Sequence, residues 1–286
     1  MSMDRLQGHI RKRKNPTVLE LDQGLVSGLA GENSAQQYGT FCRELLKSLS
    51  QEIPAVRVRF SAFALLGDGG LNELTQVLAL AKKLGYYVLL EPPQALSLPA
   101  AEQTARAIFG PDSRFVCDGV ILDVYAGSDM MKPYLPYCEQ GKTVFLAVRT
   151  ANWSAPELQD LITGSRLVHT AAADLALRCG PQTVGKRGYT PVGLLISAAS
   201  ADSIRKLRAK YPQQFLLLDG YDAPRANAKN CSYCFNSYGW GGAVCSGGEI
   251  SAAWQKDGND GGDYIQKAVE AAQRMKRNLN RYITMV

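Results

Sequence analysis

Short apolar runs alternate with longer amphipathic stretches along this chain. The runs are TVLEL (17–21), AVRVR (55–59), YYVLL (86–90), GVILD (119–123), TVFLAV (143–148), VGLLIS (192–197), FLLL (215–218) and GAVC (242–245). Each has the length of a buried strand, and helical spacing fills the intervals. In LNELTQVLALAKKLG (71–85), Leu71, Leu74, Val77, Leu78 and Ala81 recur on one face, and Gly85 behind Lys82 and Lys83 makes a C-terminal stop. SADSIRKLRAKYP (200–212) carries a cap residue at its start and a proline at its end. A last helix near 263–283 sets Ile265, Val269, Ala272 and Met275 on one side. Repeated strand–helix units predict the α/β class and a closed (β/α)8 TIM barrel, with residues 1–286 forming a single domain. The competing open, doubly wound sheet would place G-x-G-x-x-G after its first strand. The stretch found there, DQGLVSGLAG (22–31), spaces its glycines differently.

Such a barrel gathers its chemistry at the C-terminal strand ends. In order these are Asp22, Arg57 with Arg59, Glu91, Asp123, Arg149, Ser197, Asp219, and Cys245 with Ser246. The ring of mixed charge has two readings. It binds a small anionic or nucleotide-like ligand, or it is a set of salt bridges that satisfies itself, because buried charges must be paired. One end is bare: YYVLLEPPQALS (86–97) follows Glu91 with Pro92 and Pro93, which supply neither acid, base nor backbone N–H. After the last strand, VCSGGEI (244–250) offers a turn of the kind that grips phosphate through backbone N–H groups. Gly247 and Gly248 suit that role, whereas the Glu249 carboxylate would repel a phosphate. The plainer alternative is a tight strand-to-helix turn.

Composition narrows the function classes. A length of 286 residues with 46% hydrophobic content suffices for one sizeable core. Much of the formal charge of +6 sits in RKRK (11–14), a solvated helix face, so no nucleic-acid partner is expected. No apolar run approaches a membrane span and the N-terminus has no signal-peptide pattern, which predicts no membrane partner. The seven scattered cysteines then read as reduced thiols of a cytoplasmic protein. Metal chemistry is poorly provided for. His9 lies in the basic stretch, and His169 lies on an amphipathic helix as a surface or packing residue. Cys231 and Cys234 form a lone C-x-x-C without a second ligand pair, expected as an exposed loop with two thiols. No metal or other cofactor is expected.

Several segments together resemble orotidine 5′-phosphate decarboxylase in its longer bacterial form. They are MDRLQGHIRKRKNPTVLELDQGL, AVRVRFSAFALLGDGGL, VYAGSDMMKPYL, FLAVRTANWSAPELQDL, VGLLISA, LLLDGYDA and the final amphipathic helix. They keep the family's order and cover nearly the whole chain. VYAGSD and VRTANWSAPELQDL are the most specific. The resemblance implies the same barrel, a homodimer, and a cofactor-free lyase that makes uridine monophosphate for pyrimidine biosynthesis.

Position by position, the resemblance also implies losses. Asp22 keeps the aspartate after the first strand, and Arg57 stands where the second strand carries a lysine. The Asp-x-Lys-x-x-Asp signature aligns with Glu91 to Leu96, so its lysine becomes Pro93 and its second aspartate Leu96. Ala151 aligns with the serine that reads the pyrimidine, Pro224 with a glutamine near the phosphate, and Gly248 with the arginine that clamps it. Tyr125 to Asp129 and Asn152 survive. By this alignment Asp22, Arg57 and Glu91 occupy the catalytic positions. With the strand-end ring and the glycine turn, the candidate ligand-binding residues are Asp123, Tyr125, Arg149, Asn152, Asp219, Ser246, Gly247 and Gly248. The missing lysine would protonate the carbon as carbon dioxide leaves, in a reaction that needs its barrier lowered by about 20 kcal/mol. An arginine is too weak an acid to replace it. Three readings follow: a degenerate pseudoenzyme kept as a structural or regulatory partner, a repurposed barrel enzyme acting on another anionic or phosphorylated small molecule, and a weak decarboxylase with relocated residues.

Overall fold

A computed structural model describes residues 2–22, 34–257 and 261–284. Eight parallel strands close into a barrel: β1 (Thr17–Leu21), β2 (Ala55–Arg59), β3 (Tyr87–Glu91), β4 (Gly119–Asp123), β5 (Thr143–Arg149), β6 (Val192–Ser197), β7 (Leu216–Asp219) and β8 (Gly242–Ser246), which returns to β1. The fold is a (β/α)8 TIM barrel, and each strand lies within a residue of its predicted place. The predicted helices are present as Asp68–Lys83, Ala201–Lys210 and Tyr264–Asn280. The glycines of the stretch after Asp22 lie outside the described residues.

Period-two alternation sorts each strand into two faces. On β2, Val56 and Val58 turn outward to the helices, while Ala55, Arg57 and Arg59 turn into the barrel. Large residues fill the interior. Phe145 packs edge-on against Phe215 with centroids 6.1 Å apart, joined by Tyr87, Leu89, Ile121, Leu195 and Leu217. Gly193 makes room for them, since a Cβ there would meet the Phe145 ring at 2.5 Å.

The N-terminal end of the barrel is closed. Helix Ser2–Arg13 inserts Met3, Leu6 and Ile10 into the interior cluster. Arg5 and Lys82 both reach the buried Asp118, at 2.6 and 2.8 Å, and Asp118 also accepts from the Val88 N–H at 2.8 Å. The remaining open end is the C-terminal one, where the interior faces of the strands run out into charged residues.

Candidate active site at the strand ends

Arg57 lies on an inward position of β2, paired in register with Leu89 of β3, and is 3% exposed. A guanidinium there has lost most of its water and must be compensated by anions. Its Nη1 donates to Asp219 Oδ1 at 2.7 Å and lies 3.4 Å from Glu20 Oε1. Its Nε donates to Glu91 Oε2 at 2.9 Å, and Nη2 bonds the same oxygen. Arg59, two residues on, adds a second centre. It meets Glu20 at 2.7 Å, Asp22 at 2.9 Å and Glu91 at 3.3 Å. Strand pairing sets these meetings, because Glu20 lies beside Arg57 and Arg59 beside Glu91 in register.

The cluster is not charge-balanced. Four carboxylates surround two guanidiniums, which leaves two formal negative charges in excess among these residues. Glu20 bears the strain: burial raises its carboxyl above the ordinary carboxylate value, the Asp219 charge adds to this, and Arg57 and Arg59 only partly offset it. Desolvation opposes the charge on Arg57, but Asp219, Glu20 and Glu91 outweigh it and hold the guanidinium above its ordinary value. Cys245 sits behind Arg57, fully buried, and burial pushes its thiol far up, so it is no thiolate nucleophile.

A cavity of about 360 Å³ opens in front of this cluster. Arg57, Arg59, Glu91, Asp123, Asn152 and Asp219 line it, over a floor of Ile121 and Leu195. Asn152 is held in place, accepting from the Thr150 hydroxyl at 2.5 Å and donating to Ser154 at 2.8 Å. Ala151 also faces the cavity, and β7 approaches it so closely that a Cβ on Gly220 would stand 2.9 Å from its side chain.

Arg149 is absent from this lining. The register of β5 shifts between Ala147 and Arg149, and the bulge turns the side chain outward. There it makes a two-pronged pair with Asp160 at 2.9 and 3.0 Å. It borders a smaller cavity of about 150 Å³, together with Ser197 and Trp153. Tyr125 is likewise committed, its hydroxyl donating to the Val148 carbonyl at 2.5 Å. His169 is a buried packing residue beside the Gln159 carbonyl (2.9 Å) and Asp160 (3.2 Å).

The bare end of β3 has a structural explanation. Pro92 is buried and Pro93 exposed. Gln94 then bridges the strands: its Nε2 donates to the Pro92 carbonyl at 2.9 Å, and its Oε1 accepts from the Asp123 N–H at 2.7 Å. Leu96 projects outward, 87% exposed.

The turn after β8 is already engaged. Asp222 accepts from the Ser246 hydroxyl at 3.1 Å, and a Cβ on Gly248 would stand 3.2 Å from its Oδ2. Ser246 and Gly248 thus lie against an internal carboxylate. Cys231 and Cys234 differ from expectation in their setting. Both are buried beside the helix Ala228–Ser232 instead of lying on an exposed loop, and burial pushes the Cys231 thiol up to about 12. All seven cysteines are free, and no cluster of three or more metal-ligating side chains exists among the described residues.

Four residues of the site were not singled out from sequence: Glu20, Gln94, Asp160 and Asp222. Glu20 was open to counting, because a charge two residues before Asp22 on β1 must share its inward face. The others depend on loop conformations that no local pattern announces.

A (β/α)8 barrel whose mouth carries a network of internal ion pairs is the class that the fold and site define. The chain is similar in sequence to proteins named orotidine 5′-phosphate decarboxylase. It is 26% identical over 237 residues to the orotidine 5′-phosphate decarboxylase of Rhodopirellula baltica, covering 81% of this chain and 78% of that protein. It is 25% identical to the Clostridium novyi enzyme of the same name, over 98% of both chains. A solved structure from Toxoplasma gondii, described as an orotidine-monophosphate decarboxylase, superposes with a TM-score of 0.80 at 22% identity over 98% of both chains. No protein-family model matches the chain.

The excess negative charge makes a signed prediction. The folded chain holds the Glu20 proton longer than the unfolded chain does. The associated stability is therefore present below the ordinary carboxylate value and is lost as pH rises through the raised one. Glu20→Gln removes that cost and leaves Asp22, Glu91 and Asp219 to pair the arginines. Thermal unfolding should show the variant more stable than the parent by about 2–4 °C at pH 8. The difference should shrink toward pH 4. A variant less stable at pH 8 would contradict the charge count.

Proposed function

We propose that this chain is a decarboxylase-like barrel that does not decarboxylate orotidine 5′-phosphate and persists in the cytoplasm as a structural or regulatory partner, a pseudoenzyme beside pyrimidine biosynthesis. One observation carries the reading. Both cations lining the cavity, Arg57 and Arg59, are tied to internal carboxylates, while Pro93 stands exposed at the position aligned with the proton-donating lysine. Loss of carbon dioxide leaves a carbanion, and the departing carboxylate needs positive charge and a proton donor at the reacting carbon. Asp22 and Glu91 are acids already spent on Arg59 and Arg57. Arg57 holds its proton more tightly than a free guanidine does. None of the three is suited to deliver a proton to carbon.

A second reading is favoured by the cavity itself, which stays open at about 360 Å³. On that reading Asp123, Asn152 and Asp219 bind a different small polar molecule, and Glu91 supplies acid–base chemistry. Turnover of orotidine 5′-monophosphate, followed by ultraviolet absorbance at high protein concentration, separates the readings from the family reaction. The expected result is no rate above the uncatalysed one, for the parent and for Pro93→Lys alike. Turnover abolished by Asp22→Ala would overturn the proposal.

The chain also pairs as a homodimer on this account. Leu65, Leu71, Leu96 and Leu98 are exposed on the segments that follow the neighbouring strands β2 and β3, and covering them in an interface would remove their apolar surface from water. Light scattering should give the mass of two chains for the parent and of one for the pair of substitutions Leu65→Asp and Leu96→Asp. A monomeric parent would remove the dimer from the account.

A further inference from the structure

The connection from β7 to β8 is poor in helix. Residues 220–241 open with Gly220, Asp222, Pro224 and Asn227 and close with Asn236, Ser237, Gly239 and Gly241, all weak helix formers. Within it only Ala228–Ser232 is helical, five residues capped by the Asn227 side chain, which accepts from the Asn230 N–H at 2.9 Å. It packs beside Tyr264–Asn280, a helix of seventeen residues. About 7 Å of helix therefore faces about 25 Å, at 1.5 Å per residue. A groove of about 550 Å³ lies between the two.

The groove lies outside the barrel. Ala271, Arg274, Met275 and Asn278 line it from the long helix, spaced by three or four residues and so on one face. Ala228, Ala271 and Met275 are buried in the layer between strands and helices, and they make part of the lining apolar. Tyr221 and Tyr282 add two aromatic rings. No residue of this lining borders the mouth cavity. The charge is also of the opposite sign to that of the mouth. Three cations, Lys229, Arg274 and Arg281, accompany one carboxylate, Glu249. Arg274 stands 3.6 Å from Glu249 with both side chains in contact with water, a pair of small worth. Lys229 and Arg281 have no carboxylate partner among the described residues.

We propose that this groove is a second binding site, separate from the mouth, for a small molecule that joins a flat apolar body to a single carboxylate. Its volume is that of a small-molecule cleft, roughly 300–1,000 Å³. The tyrosine rings and the Met275 thioether suit a flat apolar body. Lys229 and Arg281 supply uncommitted positive charge for the carboxylate, and Arg274 offers a guanidinium held only loosely. Glu249 disfavours a second negative charge on the ligand. Ala228, Ala271 and Met275 offer no partner to the hydroxyls of a sugar, so a nucleotide is disfavoured on both counts. The site stands whether or not the mouth is active.

Sodium 2-naphthoate is titrated into the full chain while the backbone amide signals are followed by heteronuclear NMR. Saturable shifts are expected at Lys229 and along residues 271–282. Two further probes are used at the same concentration: 2-naphthalenemethanol, which keeps the rings and lacks the charge, and uridine 5′-monophosphate, a dianion with a polar body. Both should leave these signals unmoved. Lys229→Glu combined with Arg281→Glu should weaken naphthoate binding by at least about tenfold. Both positions are exposed, and Lys229→Gln with Arg281→Gln carries the test if the reversed charges unfold the chain. Silence at the groove, or naphthoate shifts confined to Asp123 and Asn152 in the mouth, would overturn the proposal. Equal shifts with the alcohol or the nucleotide would do the same, as would unchanged naphthoate affinity in a folded variant.

Discussion

A buried guanidinium at the top of a hydrophobic barrel is the constraint around which the mouth is organised. Arg57 stands on the inward face of β2, beside Leu89 of the hydrophobic interior in register, and is almost fully buried. Water cannot solvate it there, and its desolvation is compensated only by carboxylates from neighbouring strands. β1, β3 and β7 each send one, Glu20, Glu91 and Asp219. Arg59 adds Asp22 to the same set. The strand ends that would serve a ligand in a barrel of this kind here serve one another first.

The same logic recurs at the turn after β8. There the Asp222 carboxylate accepts from the Ser246 hydroxyl and takes the room beside Gly248. Two parts of the mouth are thus engaged internally. At one, Arg57 and Arg59 are held by carboxylates of the chain, and at the other the Ser246 hydroxyl is held by Asp222. What remains is a polar cavity with more negative than positive charge on its walls. Such a cavity disfavours a substrate that carries both a carboxylate and a phosphate.

The barrel was legible in the sequence because period-two strands and period-3.6 helices alternate with short, unambiguous boundaries. The identity of the strand-end residues was legible for the same reason. Their engagement was legible only where strand register decides it, as with Arg57 beside Glu20. Arg149 shows the limit: counting along β5 sends it inward, and one bulge sends it to Asp160 instead. Asp222 shows another, because its position depends on a glycine with positive φ and two turns that no residue pattern specifies. Pro93 lies between these cases. Its chemical emptiness was visible at once, whereas the Gln94 bridge that makes the strand end structurally useful needed coordinates.

The account's central claim is that the charges and donors of the mouth are committed internally. Calorimetric titration of orotidine 5′-monophosphate into the parent chain tests it most directly, because binding needs no chemistry. The account predicts no saturable heat at millimolar nucleotide. Binding at micromolar concentration would mean that Arg57, Arg59 or the turn at Gly248 releases its internal partner for the ligand, and the account would be wrong.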